Sequence, residues 1–300
     1  MPLQNYLQAS RSLAKLVSLG DIREFNTNEH IVSSLLDIAC DSDSTADQIY
    51  IAALAMIAPS NPMVSVQGGT LPKTSRLAGT KVGDFQIGMY LVTMEEWNGV
   101  RNWGIENGFD MAEVKAGAPS DPVVGIDWYD CAKWCNAKSL MEGLEPVYGV
   151  KGPGGNYCRG DFGNEGSANV VWKPRSNGYR LPAQAEWEWA ARGGRNSQGY
   201  TFAGSNNLND VGWYADNSGG AAHAVGEKAA NELGLYDMSG NVMELCGDLI
   251  SDRFCRISGG CWVHPAGACT VTIYNDDWFI YDLPKSCAGP TVGFCIARNL

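Results

Sequence analysis

Thiols, carboxylates and an imidazole crowd the last sixty residues of this 300-residue chain. Six of its ten cysteines lie there: Cys246, Cys255, Cys261, Cys269, Cys287 and Cys295. None forms a CxxC pair, which disfavours a zinc knuckle. Cys261 and Cys269 bracket His264. Just upstream, Asp237, Asn241 and Glu244 bring oxygen donors into a glycine-turned loop, chemistry that calcium accepts. The same residues would also make a hydrogen-bonded turn without an ion. His223, beside Ser218-Gly219-Gly220, reads as a loop residue with no catalytic partner near it in sequence. Cys131 and Cys135 stand four apart in a helical pattern, a spacing for packing and poor for a disulfide. The redox compartment stays open.

From Ser258 to Leu300 there is no Glu, no Gln and no Met, residues used freely upstream. Cys, His, Tyr, Trp, Asp, Ile and Val take their place between Gly259-Gly260 and Gly293-Phe294. A recognition surface has this diversity, and a buried C-terminal β-segment would also lack Glu and Gln; composition leaves both open. As a binder, the stretch has rigid aromatic anchors in Tyr274, Trp278, Phe279 and Tyr281, with His264, Asn275, Asp276 and Asp277 as adaptable polar groups. Strand alternation would expose at most one of Trp278 and Phe279, and a loop could expose both. Asp276-Asp277 is most simply a solvated turn. Trp262, next to the paired glycines, is expected in the core.

The elements that must hold these residues change character along the chain. Residues 1–62 read as a helical extension: Leu3, Leu7, Leu13 and Leu16 share one face, Ile31 to Ile38 form a second run, and Ala46–Ala58 a third behind Ser44. From Met63 the pattern is strands and turns, with Val64 and Val66, then Phe85, Ile87 and Met89 alternating. Asp127 caps a helix carrying Trp128, Cys131, Trp134 and Cys135. Residues 150–178 read as Gly- and Asn-rich loop. A helix follows Pro182 with Ala185, Trp189 and Ala190 inward, and ends at Gly193-Gly194. Net charge is −11 with no basic run, so nucleic acid is not an expected partner. No run of eighteen apolar residues would span a membrane. The first ten residues do not read as a signal peptide, which points to a cytoplasmic protein or one whose export signal was removed.

Taken together, residues 63–300 resemble the sulfatase-modifying-factor family, the formylglycine-generating-enzyme type of C-type-lectin fold. The likeness is carried by Val66-Gln67-Gly68-Gly69-Thr70, Phe85-Gln86-Ile87-Gly88, Glu96-Trp97, Tyr179-Arg180-Leu181-Pro182, Ala190-Ala191-Arg192-Gly193-Gly194, Asn231 to Val242 with Glu244, Gly259-Gly260, Cys269 and Gly293-Phe294. It implies an α+β, loop-rich domain at 63–300 behind the helical extension. It also implies a structural calcium on Asp237, Gly240, Val242 and Glu244, with no other cofactor required. Catalytic members oxidise a sulfatase cysteine with two copper-ligating cysteines, whose positions fall here on His264 and Cys269, with Cys261 out of register. That departure counts against oxidase activity, which would need Cys261 and Cys269 to pair.

Divergence is concentrated at about 258–295. It resembles the variable proteins of diversity-generating retroelements, the treponemal variable-protein type, in which adenines of a C-terminal repeat are rewritten. Rewriting the first two bases of Asn codons cannot yield Glu, Gln or Met. The resemblance implies a non-catalytic, adhesin-like binder on the cell surface or outside the cell. Its contact set would be Val263, His264, Ala268, Ile273, Tyr274, Asn275, Asp276, Asp277, Trp278, Phe279 and Tyr281, facing a protein or cell-surface partner. Ligand identity and oligomeric state are not legible.

Overall fold

The computed structural model describes residues 61–115, 117–152, 155–160, 170–249, 254–272, 282–284, 286 and 288–300. The helices expected before Asn61 lie outside the described residues. The domain opens with β1 (Met63–Val66), β2 (Gly69–Thr70), β3 (Lys81–Val82) and β4 (Phe85–Gly88), followed by α1 (Met94–Glu106) and α2 (Trp128–Met141). Strands β5 (Tyr148–Val150), β6 (Val170–Trp172) and β7 (Tyr179–Arg180) lead to α3 (Gln184–Ala191). The last third holds β8 (Met243–Leu249), β9 (Phe254–Ser258), β10 (Asp282–Pro284), β11 (Val292–Gly293) and β12 (Ala297–Asn299).

Two four-stranded sheets organise these elements, in the orders β1-β4-β12-β7 and β10-β9-β8-β11. The first is antiparallel throughout, with Ala297 opposite Ile87 on one side and Arg180 on the other. In the second, β11 joins β8 in parallel while β8, β9 and β10 run antiparallel. Phe85 and Ile87 are buried as their alternation predicts, but β4 ends at Gly88, so Met89 falls outside it.

Helix α2 starts where Asp127 accepts the Asp130 N–H. Every residue from Trp128 to Ser139 is buried, so this helix is central and not amphipathic. Its Trp134 stacks on Trp97 of α1 at 6.1 Å, and Phe294 meets both rings edge-on. Small Cys131, Ala132, Cys135 and Ala137 let neighbours approach. Two lysines on α2 are buried with partners: Lys133 on Asp110 and Asp130, Lys138 on Glu96 and Glu142.

Two elements depart from the expectation. Helix α1 has no counterpart in the sequence reading, although Thr93 caps it by accepting the Glu96 N–H. Its Gly99 and Gly104 lower helix propensity, and at Gly104 a Cβ would meet the flexible tip of Met111, Cε at 2.3 Å. Within 150–178, Val170–Trp172 form β6, paired with β5; three residues are too few for periodicity to register. Pro182 precedes the first helical residue of α3 by two positions, and Ala183 takes the cap position, its N–H donating to Glu186. Gly193 has φ +85°, the left-handed turn expected at that helix end.

Candidate ligand-binding surface

The site is built on a compact turn before β8. Asp237 and Asn241 both have φ +58°, a region that Asn and Asp tolerate better than other side chains. Between them Gly240 passes so close to Trp213 that a Cβ would lie 2.2 Å from the Trp213 carbonyl. The Asn241 amide clasps the backbone of His223, accepting from its N–H and donating to its carbonyl. Asp237 is held as a carboxylate acceptor by the Gly226 N–H at 2.8 Å and the Asn241 amide at 3.3 Å. Burial nonetheless pushes Asp237 up to about 6.

Glu244 differs. It is 1% exposed, and neither carboxylate oxygen has a hydrogen-bond partner. The Trp187 indole and Cys295 thiol lie beside it outside good hydrogen-bond geometry, and burial lifts its pKa to about 7. Such an orphaned buried carboxylate is the kind of group that a cation would complete. Asp237 already carries two donors, and among the described residues no three His, Cys, Asp or Glu side chains converge. A calcium here would therefore rest on Glu244 and on backbone carbonyls such as those of Gly240 and Val242.

From this turn the chain runs up β8, back along β9 and into a strap, residues 261–272. Gly259 and Gly260 have φ +89° and +69°. A Cβ on Gly260 would stand 2.7 Å from Cys269 Sγ and 2.6 Å from the Ala268 carbonyl, so the strap folds back directly onto that glycine. The strap is stitched to its surroundings by backbone and side-chain bonds. Trp262 N–H donates to Asn241, Ala215 N–H to the His264 carbonyl, and Ser218 Oγ to the Trp262 carbonyl. At the far end Val271 N–H donates to Thr201, and Arg192 donates to Thr272 Oγ1.

This geometry turns some strap side chains outward and others in. Val263 is 46% exposed, and His264 and Ala268 are half-buried. Cys261, Cys269 and Val271 are buried. Burial lowers the pKa of His264, leaving its imidazole neutral at pH 7. Burial also raises both thiols, Cys269 to about 12. Thiolate is the nucleophile and the metal ligand, so each thiol would have to release its proton to ligate a metal. Trp262 is half-buried, a correction to the expectation of a core residue. Beside the strap, Trp213 stacks on His223 at 3.7 Å, and Lys228 Nζ lies 4.0 Å from its ring centroid. His223 Nε2 is 2.7 Å from the Ser218 carbonyl, which gives the loop residue a structural partner.

Of the expected contact set, Val263, His264 and Ala268 share the strap. Ile273, Tyr274, Asn275, Asp276, Asp277, Trp278, Phe279 and Tyr281 lie outside the described residues. The sequence reading missed the supports, namely Trp213, Ser218 and Arg192. Arg192 and Ser218 stood inside quoted segments, but nothing in their local spacing pointed to the strap.

Residues 54–300 match the sulfatase-modifying factor enzyme 1-like domain. The chain belongs to this family. Its α+β, loop-rich architecture is the formylglycine-generating-enzyme-like C-type-lectin fold, as solved structures of similar chains also indicate. The structure titled CarF superposes with a TM-score of 0.68 at 24% identity, over 80% of this chain and 98% of that one. Treponema denticola variable protein 1 superposes with a TM-score of 0.64 at 26% identity, over 79% and 95%. In sequence, the chaperone protein LppX of Paenibacillus barcinonensis is 37% identical over 237 residues, covering 68% of this chain and 79% of that one. No helix among the described residues of this family member is long and apolar enough to cross a membrane.

Proposed function

We propose that this family member is a non-catalytic ligand-binding protein whose strap, together with the segment after Thr272, forms a diversified surface for a protein or cell-surface partner. The observation that carries this reading is the division within the strap. Val263, His264 and Ala268 face outward or lie half-exposed, while both sulfurs available for oxidase chemistry are buried. A surface whose side chains can change without touching the core suits recognition. Ile273, Tyr274, Asn275, Asp276, Asp277, Trp278, Phe279 and Tyr281 complete the proposed contact set, the aromatics supplying rigid area at small entropic cost. Likeness to Treponema denticola variable protein 1 supports diversification by a retroelement. Display at the cell surface after removal of an export signal, and a structural calcium at Glu244, belong to the same proposal.

The alternative, a copper-dependent oxidase on Cys261 and Cys269, makes an opposite prediction. Anaerobic copper(I) titration with a thiol count should give no tight stoichiometric complex; tight two-thiolate ligation by this pair would overturn the binder. The surrounding DNA tests diversification. A nearby repeat differing at adenines, beside a reverse transcriptase, supports it, and the absence of both removes it.

A further inference from the structure

The strap's closing end is tied to a post that the ligand-binding proposal does not include. Arg192 follows α3, a helix whose last carbonyls, Ala190 and Ala191, are capped by the buried Asn231 amide. Its guanidinium reaches in two directions. Nε donates to Glu188 Oε1 at 2.7 Å, and a terminal nitrogen donates to Thr272 Oγ1 at 2.7 Å. Glu188 is fully enclosed, and its second oxygen has no hydrogen-bond partner, so the carboxylate holds the guanidinium in one place. Thr272 is itself shaped by Thr270, whose hydroxyl donates to the Thr272 carbonyl at 2.7 Å. Between them Val271 is buried and bonded to Thr201.

We infer that Arg192 is a positioning residue for the recognition surface: the Glu188–Arg192–Thr272 link fixes where, and in which direction, the chain leaves the strap. The inference rests on reading the strap as the ligand-binding element, but its mechanics do not need a ligand. A planar guanidinium can serve both acceptors at once, and an ammonium at the same place cannot reproduce that fork. The α3 helix thus acts as a fixed reference, and exchange of side chains in the strap leaves that reference untouched.

Hydrogen–deuterium exchange on the full chain without ligand tests this. Thr272→Val removes the acceptor while leaving the Glu188–Arg192 pair intact. It is expected to speed exchange across residues 266–272 roughly tenfold, the loss of one charge-assisted hydrogen bond. Thr272→Ser keeps the hydroxyl and should exchange like the parent. Arg192→Lys should match Thr272→Val, the two together should be no faster than either, and α3 amides should be unchanged throughout. Unchanged strap exchange in Thr272→Val overturns the inference, as does equal acceleration in Thr272→Ser or in α3. Because no ligand is present, a strap that binds nothing would leave these outcomes intact, and the two proposals fail separately.

Discussion

Glu244 and Asp237 are enclosed at the same turn, and burial lifts the first to about 7 and the second to about 6. A carboxyl whose folded pKa exceeds its unfolded value holds its proton longer in the native state. Its stabilising contribution is complete below the unfolded value, near 4.5 for Glu244, and is lost as pH rises to about 7. In EGTA, the melting temperature relative to Glu244→Gln is therefore expected to fall between pH 4.5 and 7.5 and then level off. Calcium, which needs the ionised form, should raise the melting temperature of the parent by several degrees at pH 8, raise it little at pH 5, and leave Glu244→Gln unmoved. Calorimetry at the two pH values checks both arms. The strap gives a second residue-scale contrast. Val263→Ala, at a 46% exposed site, should change stability by no more than about 0.5 kcal/mol. Gly260→Ala puts a Cβ 2.7 Å from Cys269 Sγ in a left-handed backbone, and should cost about 2 kcal/mol or more in urea unfolding.

Among the elements, α2 is central to the largest hydrophobic cluster of the described residues, and its buried lysines make it vulnerable. Lys138 is enclosed between Glu96 and Glu142, with Tyr179 and Trp134 beside its ammonium. Lys138→Met strands a carboxylate inside the protein and should cost about 3–5 kcal/mol, read as a lower denaturation midpoint. A Glu96→Gln, Lys138→Met pair should recover part of that loss, since only the more exposed Glu142 is then left without its ion partner. This helix was legible in sequence because its cap, Asp127, and its aromatic and sulfur-bearing positions are local signals. Helix α1 was not, because Gly99 and Gly104 lower its helix propensity, and Gly104 packs against Met111, Ala137 and Phe109, which lie outside the helix. Strand β6 escaped because three residues carry no period. The site shows the same division. Paired glycines marked where the strap begins, but Ser218 meets Trp262 across 44 residues and Arg192 meets Thr272 across 80, contacts that leave no trace in local spacing.

At the scale of the molecule, the last strand of the domain joins strands laid down much earlier in the chain. β12 lies between β4 and β7, and Asn299 accepts from Arg180 while donating to the carbonyls of Pro174 and Ser176. Ending the chain before Ala297 is expected to abolish cooperative unfolding, seen as loss of the near-ultraviolet circular dichroism transition; a sharp transition in such a fragment would refute it. Pairings this distant in sequence also form late in folding. That placement has an outcome for any gene whose strap codons are rewritten. A shift of reading frame there, unlike base changes at Asn codons, which cannot create a stop, yields a polypeptide missing the strand that unites β4 with β7. Such a product cannot complete its first sheet and falls to proteases, so only full-length variants survive to be tried against a partner.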